Sequence, residues 1–204
     1  PWLELFTRHW NLQSRILHRY EVADWMGEAV SLIEFANREE TRGCPQSVCV
    51  TQDLVNCYGN LDGPGYADER IEATTETLAR ITPSWPCFRC ISSEKADALQ
   101  DAGRLEEGLA FAREQEARIV AAGSAYRPNT MAACRIDLLI GLGRLEEAWA
   151  LNEIASRNAD DESEAAHRAL SRAEILARQG LYEEAIDALP SFDRCFETQG
   201  KYEP

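Results

Sequence analysis

The residues in this chain best suited to chemistry are its cysteines. Pro45-x-x-x-Cys49 and Pro86-x-x-x-Cys90 superpose on a shift of 41 residues. That register makes Cys49 and Cys90 expected neighbours on adjacent helices, with Cys44 and Cys87 beside them at the helix starts. Thiolates ligate zinc and attack disulfides, so two chemistries are open. One is a zinc site from Cys44, Cys49, Cys87 and Cys90. The other is a redox pair in Cys87-Phe88-Arg89-Cys90, where a helix N-terminus would favour the thiolate. The Cys44/Cys49 spacing is loose for zinc, which favours tight knuckles on both sides. A redox Cys-x-x-Cys is expected to follow a β-strand, and none is legible. Cysteine is also a common buried residue, so helix packing is the preferred reading. Cys57, Cys134 and Cys195 read as plain core residues.

Other constellations are thinner. His9 and His18 lie near the start of the chain and His167 far along it, with no H-E-x-x-H spacing. The pairs Glu106-Glu107, Glu146-Glu147 and Glu183-Glu184 recur at helix starts, where the macrodipole favours carboxylates. The acidic run Asp160, Asp161, Glu162 and Glu164 takes the same structural reading and not that of a metal site. Gly63-Pro64-Gly65 lacks the following Lys-Ser/Thr of a phosphate-cradling loop. The chain is therefore expected to be non-catalytic, with no cofactor and no metal.

The elements that carry these residues are marked by a repeat. Leu142-Gly143-Arg144-Leu145-Glu146-Glu147-Ala148 has one counterpart in Ala102-Gly103-Arg104-Leu105-Glu106-Glu107-Gly108 and another in Gln179-Gly180-Leu181-Tyr182-Glu183-Glu184-Ala185. Each copy follows a helical run and opens another. Glycine supplies the left-handed corner that ends the first helix. Pro45, Pro86 and Pro128, each just ahead of a helical run, give nearly the same period independently. Self-similarity at about 40 residues is the signature of a helical-hairpin array.

Five hairpins are expected, over about 10–43, 45–82, 86–123, 128–158 and 161–200, in one all-α domain spanning 1–204. The first has helices over Asn11–Val22 and Trp25–Asn37 around a corner at Ala23-Asp24. The second has an enlarged corner, Asn60-Leu61-Asp62-Gly63-Pro64-Gly65, and a second helix over Ala67–Ile81. Helices follow over Cys87–Ala102, Leu105–Ala122, Asn129–Leu142, Leu145–Ser156 and Asp161–Gln179. Pro190 is expected to end or kink the last helix, which opens at Tyr182, because it removes one backbone hydrogen bond.

Composition bounds the partners. The chain has 204 residues, 45% of them hydrophobic, enough for a substantial core. A net charge of −14 argues against nucleic-acid backbones and anionic membranes, which need Lys/Arg patches. No apolar run is long enough to span a membrane, and no signal peptide is legible. Seven cysteines without regular spacing point to a reducing compartment, so a cytoplasmic location is expected. The start at Pro1, with no initiator Met, reads as a piece of a longer protein.

The Gly-x-Leu/Tyr-x-x-Ala corner, with small and large apolar positions before it, resembles the tetratricopeptide repeat. With the corner glycine at the family's fifteenth position, the small eighth-position residue becomes Leu17, Val55, Ala96, Ile136 and Ala173. The large eleventh becomes Tyr20, Tyr58, Leu99, Leu139 and Leu176. The alanine opening the second helix becomes Ala29, Gly108, Ala148 and Ala185. The period is nearer 40 than 34, and position seven, usually Leu, is Lys95, Arg135 and Arg172.

The resemblance implies a right-handed α-solenoid of about five antiparallel helix pairs whose first helices line a concave groove. It further implies a non-catalytic scaffold that binds a protein or peptide, or another domain of its own longer chain. The groove-facing ninth position yields His18, Asn56, Asp97, Asp137 and Glu174. The fifth yields Ser14, Gln52, Ser93, Ala133 and Leu170. Asp97, Asp137 and Glu174 have the wrong sign for the family's carboxylate clamp and suit a polar or basic segment. A solvated helix face is the competing reading of the same row.

Overall fold

A computed structural model describes residues 1–123, 131–157 and 162–191. The chain divides into two compact units, Pro1–Arg127 and Pro128–Pro204. The first unit holds α1 (Trp2–Gln13), a π-helical turn (Ser14–His18), α2 (Val22–Ala36), α3 (Gln46–Asp62), α4 (Ala67–Arg80), α5 (Phe88–Asp101) and α6 (Leu105–Ala121). The second holds α7 (Ala132–Gly141), α8 (Leu145–Arg157), α9 (Glu162–Arg178) and α10 (Tyr182–Ala188). No strand occurs among the described residues. No described helix is long and apolar enough to cross a membrane.

The repeated corner forms the same structure three times. Gly103, Gly143 and Gly180 take φ of +70°, +70° and +81°. The next amide in each case reaches back across the corner: Arg104 to the Leu99 carbonyl at 2.8 Å, Arg144 to Leu139 at 2.9 Å and Leu181 to Leu176 at 3.0 Å. These bonds satisfy carbonyls that the ending helix leaves without partners. Two glutamates then occupy the first turn of α6, α8 and α10. In two of the corners the arginine clasps the second glutamate, Arg104 Nε to Glu107 at 2.8 Å and Arg144 Nε to Glu147 at 2.6 Å. Exposed pairs of this kind contribute only about 0.5 kcal/mol each.

The first hairpin departs from the expected register. Trp2–Gln13 is the body of the first helix, which thus begins well before Asn11, and α2 begins at Val22. The corner lies at residues 19–21, one helical turn before Ala23-Asp24. No glycine marks it, because Tyr20 itself takes the left-handed conformation, at φ +55°. Tyr20 therefore stands at the corner and is 63% exposed, where the family pattern put a large buried residue. The second hairpin also shifts, since α3 continues through Asn60 and Leu61 to Asp62. Asn56 and Asn60 donate their side-chain amides to carbonyls one turn back, at 2.9 Å each, which keeps these turn-prone residues inside the helix. The last helix ends as expected, with Leu189 extended (φ −65°, ψ 134°) just before Pro190.

The core is apolar rows from successive helices. Leu5, Leu12, Ile16, Ala29, Leu32, Val50 and Cys57 join α1, α2 and α3 with the turn between them. Val48, Leu78, Phe88, Ile91 and Ile119 join α3 to α6. In the second unit Ile136, Leu139, Ala148, Ala173, Ile175 and Leu176 are buried. Val55, Ala96, Ile136 and Ala173, together with Leu99, Leu139 and Leu176, sit where the repeat pattern calls for packing. Each large apolar side chain so buried contributes about 1.5–3 kcal/mol.

Candidate functional site

In the first unit α3 packs beside both α1 and α5, so the first helices of successive hairpins share one polar layer. Gln52 and Asn56, on α3, donate their amides to Glu94 Oε1 on α5 at 3.3 and 3.1 Å. Burial pushes the Glu94 carboxyl above the usual range, and nearby Asp53 adds to the rise. The amides and Arg70 pull the other way without cancelling it. Ser93 and Asp97 are half-buried on the same helix. The side chain of His18 lies outside the described residues.

Asp53 turns the other way, into the core. His9 Nδ1 lies 2.6 Å from its Oδ2, and both side chains are almost wholly buried. Burial raises the Asp53 carboxyl, while hydrogen bonding and charge from His9, with a bond from Gln13, oppose the rise. Asp53 Oδ1 has no hydrogen-bond partner. Arg70, 5% exposed, pairs with Asp101 and ties α4 to α5.

Cys57 follows Asp53 by one helical turn, so His9, Asp53 and Cys57 superficially suggest a Cys–His–Asp arrangement. Burial, reinforced by the Asp53 charge, pushes the Cys57 thiol up to about 12. A nucleophilic cysteine needs the opposite shift and access to solvent. These three residues are packing.

In the second unit Asp137 on α7 is raised to about 6. Burial is the largest cause; Glu174 on α9 adds to the rise and Arg168 opposes it. Arg168 is itself pulled below its usual value by burial, against the attraction of Asp137 and Glu164. The expected pair Asp137 and Glu174 is thus electrostatically coupled within this unit, with Arg168 between them in sign. Asp97 belongs to the first unit. Ala133 is half-buried and Leu170 38% exposed.

The cysteine register needs correcting. The sulfur joined to Cys49 is that of Cys87, in a disulfide with Cα atoms 6.1 Å apart, and not that of Cys90 one turn later. Cys87 precedes the first residue of α5, which brings it to the side of α3 where Cys49 lies. Two sulfurs held in a disulfide cannot serve as thiolate ligands, so the four-cysteine zinc arrangement does not form. Cys44 Sγ donates instead to Gln46 Oε1 at 2.9 Å. Among the described residues no group of three or more His, Cys, Asp or Glu side chains could hold a metal. Cys57 and Cys134 are buried core residues, and Cys195 lies outside the described residues.

Sequence reasoning missed Glu94, Asp53 and Arg168. A signal existed for the first two, which stand in the same 41-residue register as Pro45/Pro86 and Cys49/Cys90. A register that the repeat pattern left unassigned therefore carries a carboxylate twice. Nothing in the sequence marked Arg168.

No family model and no curated protein matches this chain. Among solved structures it is similar to a Podosopora anserina candidate kinesin light chain of nearly identical TPR-like repeats, at 16% identity and a TM-score of 0.64. The likeness covers 100% of this chain and 98% of that one. A single-residue variant of the same protein gives 15% identity and a TM-score of 0.64, over 97% and 95% of the two chains. The fold is the TPR-like helical repeat.

Proposed function

We propose that this chain is a non-catalytic protein-interaction scaffold that takes a polar or basic peptide segment along its first helices. The observation that carries this reading is the Gln52–Asn56–Glu94 layer. Two amides and a carboxylate occupy neighbouring first helices at positions where a purely structural repeat would be free to bury apolar groups. Burial raises the Glu94 carboxyl, and a lysine, arginine or terminal amine beside it would favour the ionised form and gain charge-assisted hydrogen bonds. Asp97 in the first unit, and Asp137 with Glu174 in the second, supply further carboxylates of the same sign. The chain's net charge of −14 steers a basic partner toward it.

The test uses an unstructured Lys/Arg-bearing peptide, with an acidic peptide of the same length as control. Asp97→Asn with Asp137→Asn should weaken binding of the basic peptide, mainly by slowing association and flattening its salt dependence. Rate, affinity and salt slope all unchanged in the double variant would remove the reading.

A second reading rests on one observation: Cys90 follows the disulfide-bonded Cys87 by three residues at the start of α5. A cysteine-based redox module would use that thiol to attack the disulfide and free Cys49. Titration showing a Cys90 thiol no more reactive than free cysteine dismisses it.

A further inference from the structure

A cleft of about 480 Å³ opens in the first unit between α4, α5 and α6, on the second-helix side and apart from the Gln52–Asn56–Glu94 layer. Its apolar lining includes Leu78, Ile81 and Phe111. Two cations line the same space, Lys95 from α5 and Arg118 from α6. Lys95 Nζ lies 4.8 Å from the centre of the Phe111 ring. Arg118 lies over Phe88 at 5.2 Å and donates to Gln115 Oε1 at 2.9 Å. Gln115 is 2% exposed, so the guanidinium is aimed by a buried, fixed amide.

Neither cation forms an ion pair with a described residue. In a chain with 35 acidic residues against 21 basic ones, these two cations share one cleft with Leu78, Ile81 and Phe111. Glu114 also lines the cleft, and with Glu107 it favours the charged form of Lys95. Burial, the larger effect, and Arg104 oppose that. Lys95 is thus partly desolvated and gains from an anion brought within contact distance.

We propose that this cleft binds a carboxylate carried on an apolar or aromatic body. The carboxylate would sit between Lys95 Nζ and the Arg118 guanidinium, and its body against Phe111, Leu78 and Ile81. Ligand sites typically have about 300–1,000 Å³ with apolar walls and a few fixed polar groups; this cleft has that volume, an apolar wall of Leu78, Ala79, Ile81 and Phe111, and charged or polar groups opposite it. The same chemistry is offered by a free aromatic acid and by the C-terminal carboxylate of a peptide ending in an aromatic residue.

The test titrates the intact chain, by calorimetry and NMR at low salt, with 3-phenylpropanoate and with an acetylated tripeptide ending in phenylalanine. Each acid is compared with its carboxamide. Saturable binding of at least one acid, about tenfold tighter than its amide, is expected. Lys95→Met and Arg118→Gln should each weaken it by a further tenfold or so, since each removes one charge-assisted contact. Glu114→Gln should strengthen it, and no loss of folding can imitate that opposite sign. The free acid binding as well as the peptide points to a small-molecule ligand, and a tenfold preference for the peptide points to a chain terminus. Equal binding of acid and amide, no saturable binding of either acid, or indifference to both cation substitutions in variants with wild-type melting curves would overturn the proposal.

Discussion

His9 Nδ1 lies 2.6 Å from Asp53 Oδ2, and with both side chains buried the pair fastens α1 to α3 through the middle of an apolar core. Burying a carboxylate costs several kcal/mol unless it is partnered, and His9 is its main partner. His9→Ala should therefore cost about 2–4 kcal/mol at neutral pH, more than a truncated apolar neighbour would suggest. The loss should shrink on acidification, because burial raises the Asp53 carboxyl and a protonated Asp53 carries no charge to be compensated. Urea unfolding at pH 5 and pH 7.5 reads this; equal losses at both would mean that Asp53 keeps one protonation state across that range.

Corner geometry gives a second prediction. Around Gly143, at φ +70°, nothing lies within 4 Å of where a Cβ would stand. The cost of Gly143→Ala is then backbone strain alone, about 1 kcal/mol, and Gly143→Val should cost more because branching disfavours the left-handed region. Tyr20 already bears that strain, so Tyr20→Gly should leave stability unchanged or raise it by up to about 1 kcal/mol. Thermal melts of the three variants check the order; a Gly143→Val protein as stable as wild type would contradict the corner assignment.

The disulfide closes a segment with a sequence separation of 38. A loop of that size restrains the unfolded chain by about 3–4 kcal/mol in the entropic account. Cys49→Ser with Cys87→Ser, or reduction of the wild type, should lower the unfolding midpoint in guanidinium, and the two treatments should agree. Mass spectrometry of the unreduced protein should find these two cysteines linked. A stability indifferent to reductant would show that the bond contributes nothing in solution.

Asp137 supplies a prediction in pH. Its folded-state value of about 6 lies above the ordinary 3.8, so between those values the unfolded chain gives up a proton that the folded one keeps. Stability from this group therefore falls as pH rises from about 4 to 6 and stays low above it. Asp137→Asn removes that dependence. The variant should gain about 1–2 kcal/mol relative to wild type between pH 4 and pH 7.5, whatever its absolute offset from the lost Arg168 attraction. A difference independent of pH would mean that Asp137 titrates normally.

The sequence by itself determined the hairpin period, the helix pairs after Pro86, and the glycine corners. These are local matters: a left-handed φ needs glycine, carboxylates suit a helix N-terminus, and apolar spacing shows which face is buried. The same local logic misplaced the first corner, where Tyr20 adopts the conformation without the residue that signals it. Only tertiary structure decided that Asp53 turns into the core toward His9 while Glu94, in the same register, meets Gln52 and Asn56. Likewise it decided that Cys49 joins Cys87 and not Cys90. Pairings of this kind depend on where a neighbouring helix sets its side chains to within an ångström or two, whereas a 41-residue shift fixes the register only to about one helical turn. Sequence periodicity reports which face a residue occupies; the partner it meets there is chosen by the packing of helices far apart in the chain.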